Sequence, residues 1–133
     1  MGNKSKKIQS EISAGELLDK ISILEIKIQK ITDKNNLNEV KKEYEILKHT
    51  RKTHVGTSNK IEDLFNSIKE VNLTLWNIED KIRICEKNKD FGEKFIELAR
   101  GVYVNNDKRA KIKFEINKAL GSNIVEIKQY TEY

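Results

Sequence analysis

Residues 61–85 read IEDLFNSIKEVNLTLWNIEDKIRIC, and this stretch decides the fold. Its apolar residues recur at alternating steps of three and four, the heptad spacing of a helix that packs at a shallow angle along other helices. These residues are Ile61, Leu64, Ile68, Val71, Leu75, Ile78, Ile82 and Cys85. The pattern predicts one helix over residues 59–88, about 45 Å long. A helix of that length needs partners along its whole seam.

Two shorter helices are predicted before the long one. Ser13 and Glu16 have the spacing of a capping box, and the apolar residues of the segment 17–31 form a seam, so helix 1 begins near Ala14 and ends near Asp33. Helix 2 repeats this pattern more weakly and frays toward its end, because polar residues interrupt its seam. The two helices are expected to form a hairpin beside the long helix.

A further helical segment is predicted after the long helix. Asp90 and Glu93 form a second capping-like start, and apolar residues follow on one face. The polar run Asn105–Asp107 predicts a break or a second cap before the chain continues to Gly121, which stands where a left-handed C-terminal cap belongs. Residues 122–133 fit a short helix, an extended arm or a disordered segment equally well.

The composition agrees with long helices and little else. The chain has 133 residues, six glycines and no proline, where average usage would give about six or seven prolines. We therefore predict an all-α protein, an elongated antiparallel helical bundle with one long heptad-patterned helix. The bundle domain is predicted over residues 12–121, after a basic flexible tail at 1–11 that includes Lys4 and before the tail at 122–133.

Several classes of protein are excluded. The longest stretch without a charged residue, Val71–Ile78, is far shorter than the roughly 18 apolar residues of a membrane span, so no membrane contact is expected. No apolar segment follows the first lysines, and we expect a cytoplasmic protein. The single Cys85 rules out an internal disulfide. His49 and His54 are five residues apart, which does not suit metal ligands on one helix face, and no metal or cofactor motif is present.

Polar residues border the seam of the long helix and suggest a site. Trp76, Glu79 and Arg83 lie in a row beside the heptad positions, together with Phe65 and Asn72. One interpretation is a salt-bridged flank that sets helix register. The other is an anion site, in which Arg83 binds a carboxylate or phosphate, Glu79 orients it and Trp76 forms a wall.

Other candidates come from the first and last helices. Helix 1 offers a polar row of Glu16, Lys20 and Lys27, and Asp19 and Glu25 lie close to its edge. The alternative interpretation of this row is a solvated face of ion pairs. Near residue 106, Asn106 has a capping explanation, whereas Arg109 has none if it points inward, and a helix N-terminus there would offer amides to an anion. The ligand-binding candidates are therefore Lys20, Trp76, Arg83, Asn106 and Arg109, and the candidate general acids or bases are Glu25 and Glu79.

The sequence resembles a family of short, uncharacterised all-helical proteins from bacteria and phages. The resembling blocks are GELLDK at 15–20 with ILEIK at 23–27, LWNIEDKIR at 75–83, ARGVY at 99–103 with NDKRA at 106–110, and IN at 116–117 with GS at 121–122 and EIKQY at 126–130. The resemblance implies that their polar residues act together, as a cluster of Glu16, Lys20, Glu25, Trp76, Glu79, Arg83, Asn106 and Arg109. It implies no activity, because none is established for that family.

Three functions compete. The first is a helical interaction module that self-associates or binds a helical protein partner, since a long seam on a small chain leaves apolar surface to cover. The second is a ligand-binding protein or enzyme for a small anionic metabolite. The third is nucleic-acid binding, suggested by the net charge of +5 and the bases Lys48, Arg51 and Lys52. Whether the protein is an enzyme is left open by the sequence.

Overall fold

The computed structural model describes residues 6–133 and contains four helices. They are α1 (Ala14–Lys30), α2 (Lys34–His54), α3 (Asn59–Lys87) and α4 (Glu93–Leu120). Within residues 6–133 there is no β-strand. The prediction of an all-α helical bundle with one long heptad-patterned helix is confirmed.

The helix ends follow from local capping chemistry. The hydroxyls of Ser13 and Ser58 each accept a hydrogen bond from a first-turn amide, at 3.1 and 3.2 Å. Asp33 lies beyond α1, which ends at Lys30, and caps α2 instead by accepting from the amide of Asn36. Gly121 has φ 60° and ψ 44°, the left-handed conformation that closes many helices and that glycine adopts without strain.

Helix α1 is the centre of the bundle and packs against all three other helices. Helices α3 and α4 form an antiparallel hairpin joined by the turn at residues 88–92 and share the largest interface. The main core lies where the first half of α1 meets the start of α3 and the end of α4. Its buried side chains are Leu17, Leu18, Ile21, Ile61, Phe65, Ile68 and Ile116.

The lengths of the helices leave part of the hairpin uncovered. Helix α1 has 17 residues, whereas α3 and α4 have 29 and 28, so α1 is too short to cover the whole groove between them. Helix α2 has no fully buried residue and packs mainly on α1. The uncovered part of the groove lies beside the second half of α1.

The predicted break at Asn105–Asp107 is wrong, because α4 runs through it without interruption. The side chain of Asn105 donates a hydrogen bond of 2.8 Å to the carbonyl of Gly101, one turn earlier, and so stays within the helix. An asparagine inside a helix costs well under about 1 kcal/mol of helix stability relative to alanine. The packing of α4 against α1 and α3 outweighs this cost. The predicted helix N-terminus near Asn106, with free amides for an anion, is therefore wrong as well.

The tails carry no helix or strand in the described part of the chain. Residues 6–11 are exposed, and the predicted basic tail, including Lys4, lies partly outside the described residues. The C-terminal segment runs back toward the middle of α4. There the hydroxyl of Tyr133 donates to Asp107, and its ring packs edge-on against Tyr103, with the ring centres 5.4 Å apart.

Of the helices within residues 6–133, none combines the length and the apolar character that crossing a bilayer would require.

Candidate functional site

The site is built around Asp19, a carboxylate on α1 that is only 1% exposed. Arg109 of α4 binds it with two parallel hydrogen bonds, from Nε to Oδ1 at 2.9 Å and from Nη2 to Oδ2 at 2.5 Å. Such bidentate pairing fixes both the position and the plane of the guanidinium. The hydrogen bond to Asp19 also raises the pKa of Arg109 above its usual value, so the guanidinium stays charged.

Asn72 and Ser22 complete the coordination of Asp19. The amide nitrogen of Asn72, on α3, donates to Asp19 Oδ1 at 2.9 Å and to the hydroxyl of Ser22 at 2.8 Å. That hydroxyl in turn donates to the backbone carbonyl of Asp19 at 2.8 Å. Three helices are therefore joined by one buried polar network. Within residues 6–133 no fully buried side-chain nitrogen or oxygen atom lacks a hydrogen-bond partner, as burial requires.

Lys113 extends the network toward the C-terminal tail. Its ammonium is almost fully buried and lies 2.7 Å from Glu16, 3.5 Å from Glu126 and 3.9 Å from Asp19. Glu126 belongs to the tail, so the buried lysine ties that segment to α1 and α4. One region of the bundle thus contains the carboxylates of Glu16, Asp19 and Glu126 and the cations of Lys113 and Arg109.

The network depends on a close approach of α1 and α4, which Gly15 permits. A Cβ atom at this position would lie 2.6 Å from the carbonyl oxygen of Lys113, closer than any side chain tolerates. The amide of Gly15 also donates to the side-chain oxygen of Asn117 at 2.6 Å. This contact brings Asp19, one turn later on α1, within reach of Arg109.

A cavity of about 540 Å³ opens above the network, in the part of the groove that α1 leaves uncovered. This cavity, called here the α1/α3/α4 cavity, is within the usual size range for small-molecule sites. Its wall is largely apolar, with polar groups at the floor and along one edge. The lining residues are Ile23, Ile26, Asn72, Leu75, Trp76, Glu79, Asp80, Arg83, Asn106 and Arg109.

The edge of the cavity carries an exposed ion pair on a single helix. Arg83 binds the carboxylate of Glu79, one turn earlier on α3, and its side chain is 71% exposed. Asp80 also lines the cavity, and no cation of residues 6–133 lies within ion-pairing distance of its carboxylate. Arg83 is therefore free to exchange its partner without disturbing the buried network.

The structure places five of the predicted site residues at this one cavity. Trp76, Glu79 and Arg83 come from α3, and Asn106 and Arg109 from α4. Asn106 accepts a long hydrogen bond of 3.4 Å from Nη1 of Arg109, which keeps that nitrogen at the cavity floor.

Two predicted residues lie elsewhere. Lys20 is exposed and pairs with Glu16, at 3.7 Å on the same helix. Glu25 faces a second cavity of about 530 Å³ between α1, α2 and the start of α3. There it binds the ammonium of Lys69 at 2.8 Å and accepts from the hydroxyl of Tyr44 at 3.2 Å. Burial, followed by the charge of Glu25, raises the pKa of Tyr44, so this phenol keeps its proton at neutral pH.

Sequence reasoning missed the partners that hold Arg109 in place. Asp19 lies directly beside Leu18, and Lys113 directly beside Ile112, so both polar residues adjoin apolar seam positions. A charge that becomes buried beside a seam needs an opposite charge on a neighbouring helix, but the sequence alone does not show which helix or which cation supplies it. Asn72 was part of the predicted polar row but was not assigned a partner.

Comparison with known sequences matches residues 8–133 to one family, described as a family of unknown function and designated DUF6165. The chain belongs to this family. The match confirms the resemblance to an uncharacterised family, whereas an origin in bacteria or phages stays a prediction. No curated protein and no solved structure matches this DUF6165 chain.

Proposed function

We propose that the protein binds a small molecule with a carboxylate or phosphate group in the α1/α3/α4 cavity. The observation that carries this proposal is the convergence of Arg83 and Arg109, from two different helices, on one cavity that Trp76 also lines. Arginine is the side chain best suited to planar oxyanions, because its guanidinium donates several hydrogen bonds in a fixed geometry.

The two arginines have different roles in this proposal. Arg109 is held by Asp19 and Asn106 before any ligand arrives, so little conformational entropy is lost when its Nη1 side contacts an anion. Arg83 is exposed and paired only with Glu79 on its own helix, and it closes on the ligand by leaving Glu79. Ile23 and Trp76, which are both half-buried, supply the apolar surface that a ligand needs in addition to its charged group.

Titration of Trp76 fluorescence tests this proposal directly, since Trp76 is the only tryptophan in the chain. Thermal unfolding with a panel of amino acids, organic acids, sugar phosphates and nucleotides selects the compounds to titrate. We expect at least one to raise the unfolding temperature and change the fluorescence. Arg83→Ala should weaken its binding about 10- to 100-fold, the usual value of a hydrogen bond to a charged group.

Lys81→Ala is the matched control, because it removes one positive charge from an exposed position of the same helix outside the cavity. Its affinity should equal that of the unchanged protein. The proposal fails if no compound shifts the unfolding temperature, or if Arg83→Ala and Lys81→Ala bind equally well.

Self-association as a helical interaction module is the second candidate function. It is supported by three large apolar side chains around the α3–α4 turn, Ile84, Phe91 and Ile96, which are 51%, 51% and 55% exposed. Exposed apolar groups that lie together on a small bundle are typical of a protein contact, and a second copy of the chain offers the same surface.

Sedimentation equilibrium tests self-association. We expect the mass of an oligomer for the unchanged protein and the mass of a monomer for Ile96→Lys, because burying an unpaired ammonium in an apolar contact is costly. Ile46→Lys is the control, since Ile46 lies on α2 with a similar exposure of 57%. A monomeric mass for the unchanged protein at every concentration would contradict this candidate.

Nucleic-acid binding gains less support. Arg51, in the predicted basic patch, binds Glu62, and its guanidinium lies 4.6 Å from the centre of the Phe65 ring. Its charge is therefore largely occupied within the protein, which leaves Lys48 and Lys52 as the exposed bases of that patch.

A further inference from the structure

The charges of the α1/α3/α4 cavity restrict the kind of ligand that fits it. The cavity is lined by two cations, Arg83 and Arg109, and by two carboxylates, Glu79 and Asp80. The charges of these four side chains sum to zero. Below the floor, Asp19 adds a further negative charge that is already bound by Arg109. A ligand with one or two net negative charges would leave the carboxylates at the edge without compensation.

We infer that the ligand is a zwitterion, a small molecule with a carboxylate and an ammonium group bonded to the same carbon atom and an apolar side chain, as in an apolar amino acid. This inference rests on the proposed function, since it names the chemical class that the same cavity binds. In this arrangement the ligand carboxylate lies against the arginines and its ammonium against Asp80.

The positions of Asp80 and Arg83 on α3 carry this inference. They are three residues apart, so they are neighbours on the helix surface, with about 5–6 Å between their Cβ atoms. Yet Arg83 binds Glu79 instead, and no cation of the described chain neutralises Asp80. A ligand whose ammonium and carboxylate are bonded to the same carbon can contact both groups at once, whereas a simple acid contacts only the arginine.

The apolar part of the cavity fits the rest of such a ligand. Ile23 from α1 and Trp76 from α3 are half-buried at this cavity, and the buried side chains of Ile26 and Leu75 lie behind them. A branched or aromatic side chain placed between Ile23 and Trp76 would be removed from water, which is favourable for every apolar group covered. A sugar phosphate has no comparable apolar part, and its phosphate carries up to two negative charges.

Two matched sets of compounds test the inference by Trp76 fluorescence with the full chain. The first is leucine, 4-methylpentanoate and 3-methylbutylamine; the second is phenylalanine, 3-phenylpropanoate and 2-phenylethylamine. Within each set the apolar group is the same, and only the ammonium or the carboxylate is removed. We expect one amino acid to bind at least tenfold more tightly than both of its analogues.

Asp80→Asn shows which residue recognises the ammonium. In this variant we expect the amino acid to bind no more tightly than the matched acid, while the affinity for the acid is unchanged or higher. Asp63→Asn is the control, because it makes the same chemical change at an exposed position of the same helix. The Asp63→Asn variant should still bind the amino acid at least tenfold more tightly than the matched acid.

The outcomes separate this inference from the proposed function. If the acids or inorganic phosphate bind as tightly as the amino acids and Arg83→Ala weakens them, the zwitterion inference is overturned and the proposed function stands. Amines that bind as well as the amino acids also overturn it. If no compound of either set, nor any phosphate, changes the fluorescence, both are overturned.

Discussion

Asp19→Asn is expected to lower the free energy of unfolding by about 3 kcal/mol, the lower end of what breaking a buried ion pair costs. The replacement keeps the size of the side chain but removes the charge that Arg109 and Lys113 share. Arg109 is partly exposed and can recruit water, whereas the ammonium of Lys113 is almost fully buried. Against a total stability of about 5–15 kcal/mol, this is a large loss.

Urea unfolding followed by circular dichroism measures this effect. Glu115→Gln is the control, because Glu115 is an exposed carboxylate on α4 and its replacement should change stability by less than about 0.5 kcal/mol. The double variant Asp19→Asn with Arg109→Gln should recover part of the loss, since both charges of the pair are then absent. If Asp19→Asn is as stable as Glu115→Gln, the buried network does not hold the bundle together.

The long helix was predictable because its apolar spacing, its N-terminal cap and its composition all indicate the same structure. The heptad seam from Ile61 to Cys85, the cap at Ser58 and the absence of proline all favour a helix over the same residues, and α3 spans Asn59–Lys87. The predicted break at Asn105–Asp107 is wrong because three polar residues in a row do not end a helix when the apolar residues on both sides pack against other helices. Inside α4 their weak preference against helix is outweighed by packing.

The candidate site was predictable in part, for a geometric reason. Trp76, Glu79 and Arg83 repeat at three and four residues, so helical geometry alone places them on one face. Asn106 and Arg109 reach the same cavity because of the register and rotation at which α4 packs against α3, which no local pattern specifies. Lys20 and Glu25 are five residues apart on α1 and therefore lie on different faces: Lys20 is exposed to solvent, and Glu25 faces α2 and α3.

The buried network illustrates what a single sequence leaves undetermined. Asp19 and Arg109 are 90 residues apart, and their pairing follows from the crossing of α1 and α4. That crossing in turn depends on the absence of a side chain at Gly15. A glycine near a helix start has many explanations, and only the neighbouring helix reveals that here it allows close contact.

Gly15→Ala is therefore expected to destabilise the protein by about 2 kcal/mol, within the usual cost of forcing an extra methyl group into a packed contact. The new Cβ atom would lie 2.6 Å from the backbone oxygen of Lys113 and 2.9 Å from the side-chain oxygen of Asn117. A backbone carbonyl within a helix has little freedom to move away, so α1 and α4 must separate. Alanine's better helix propensity, worth at most about 1 kcal/mol, does not offset this separation.

Gly101→Ala is the control that isolates the cause, because Gly101 is also a helical glycine at an interface. There an added Cβ would meet the end of the Ile78 side chain at 3.0 Å, and a flexible methyl group can rotate aside. We expect this variant to stay within about 1 kcal/mol of the unchanged protein, since the gain in helix propensity compensates for a small adjustment. Equal urea midpoints for the two variants would show that the contact between α1 and α4 tolerates a side chain at Gly15. A selective loss in Gly15→Ala, accompanied by weaker ligand binding in the cavity, would show that this contact positions Arg109 through Asp19.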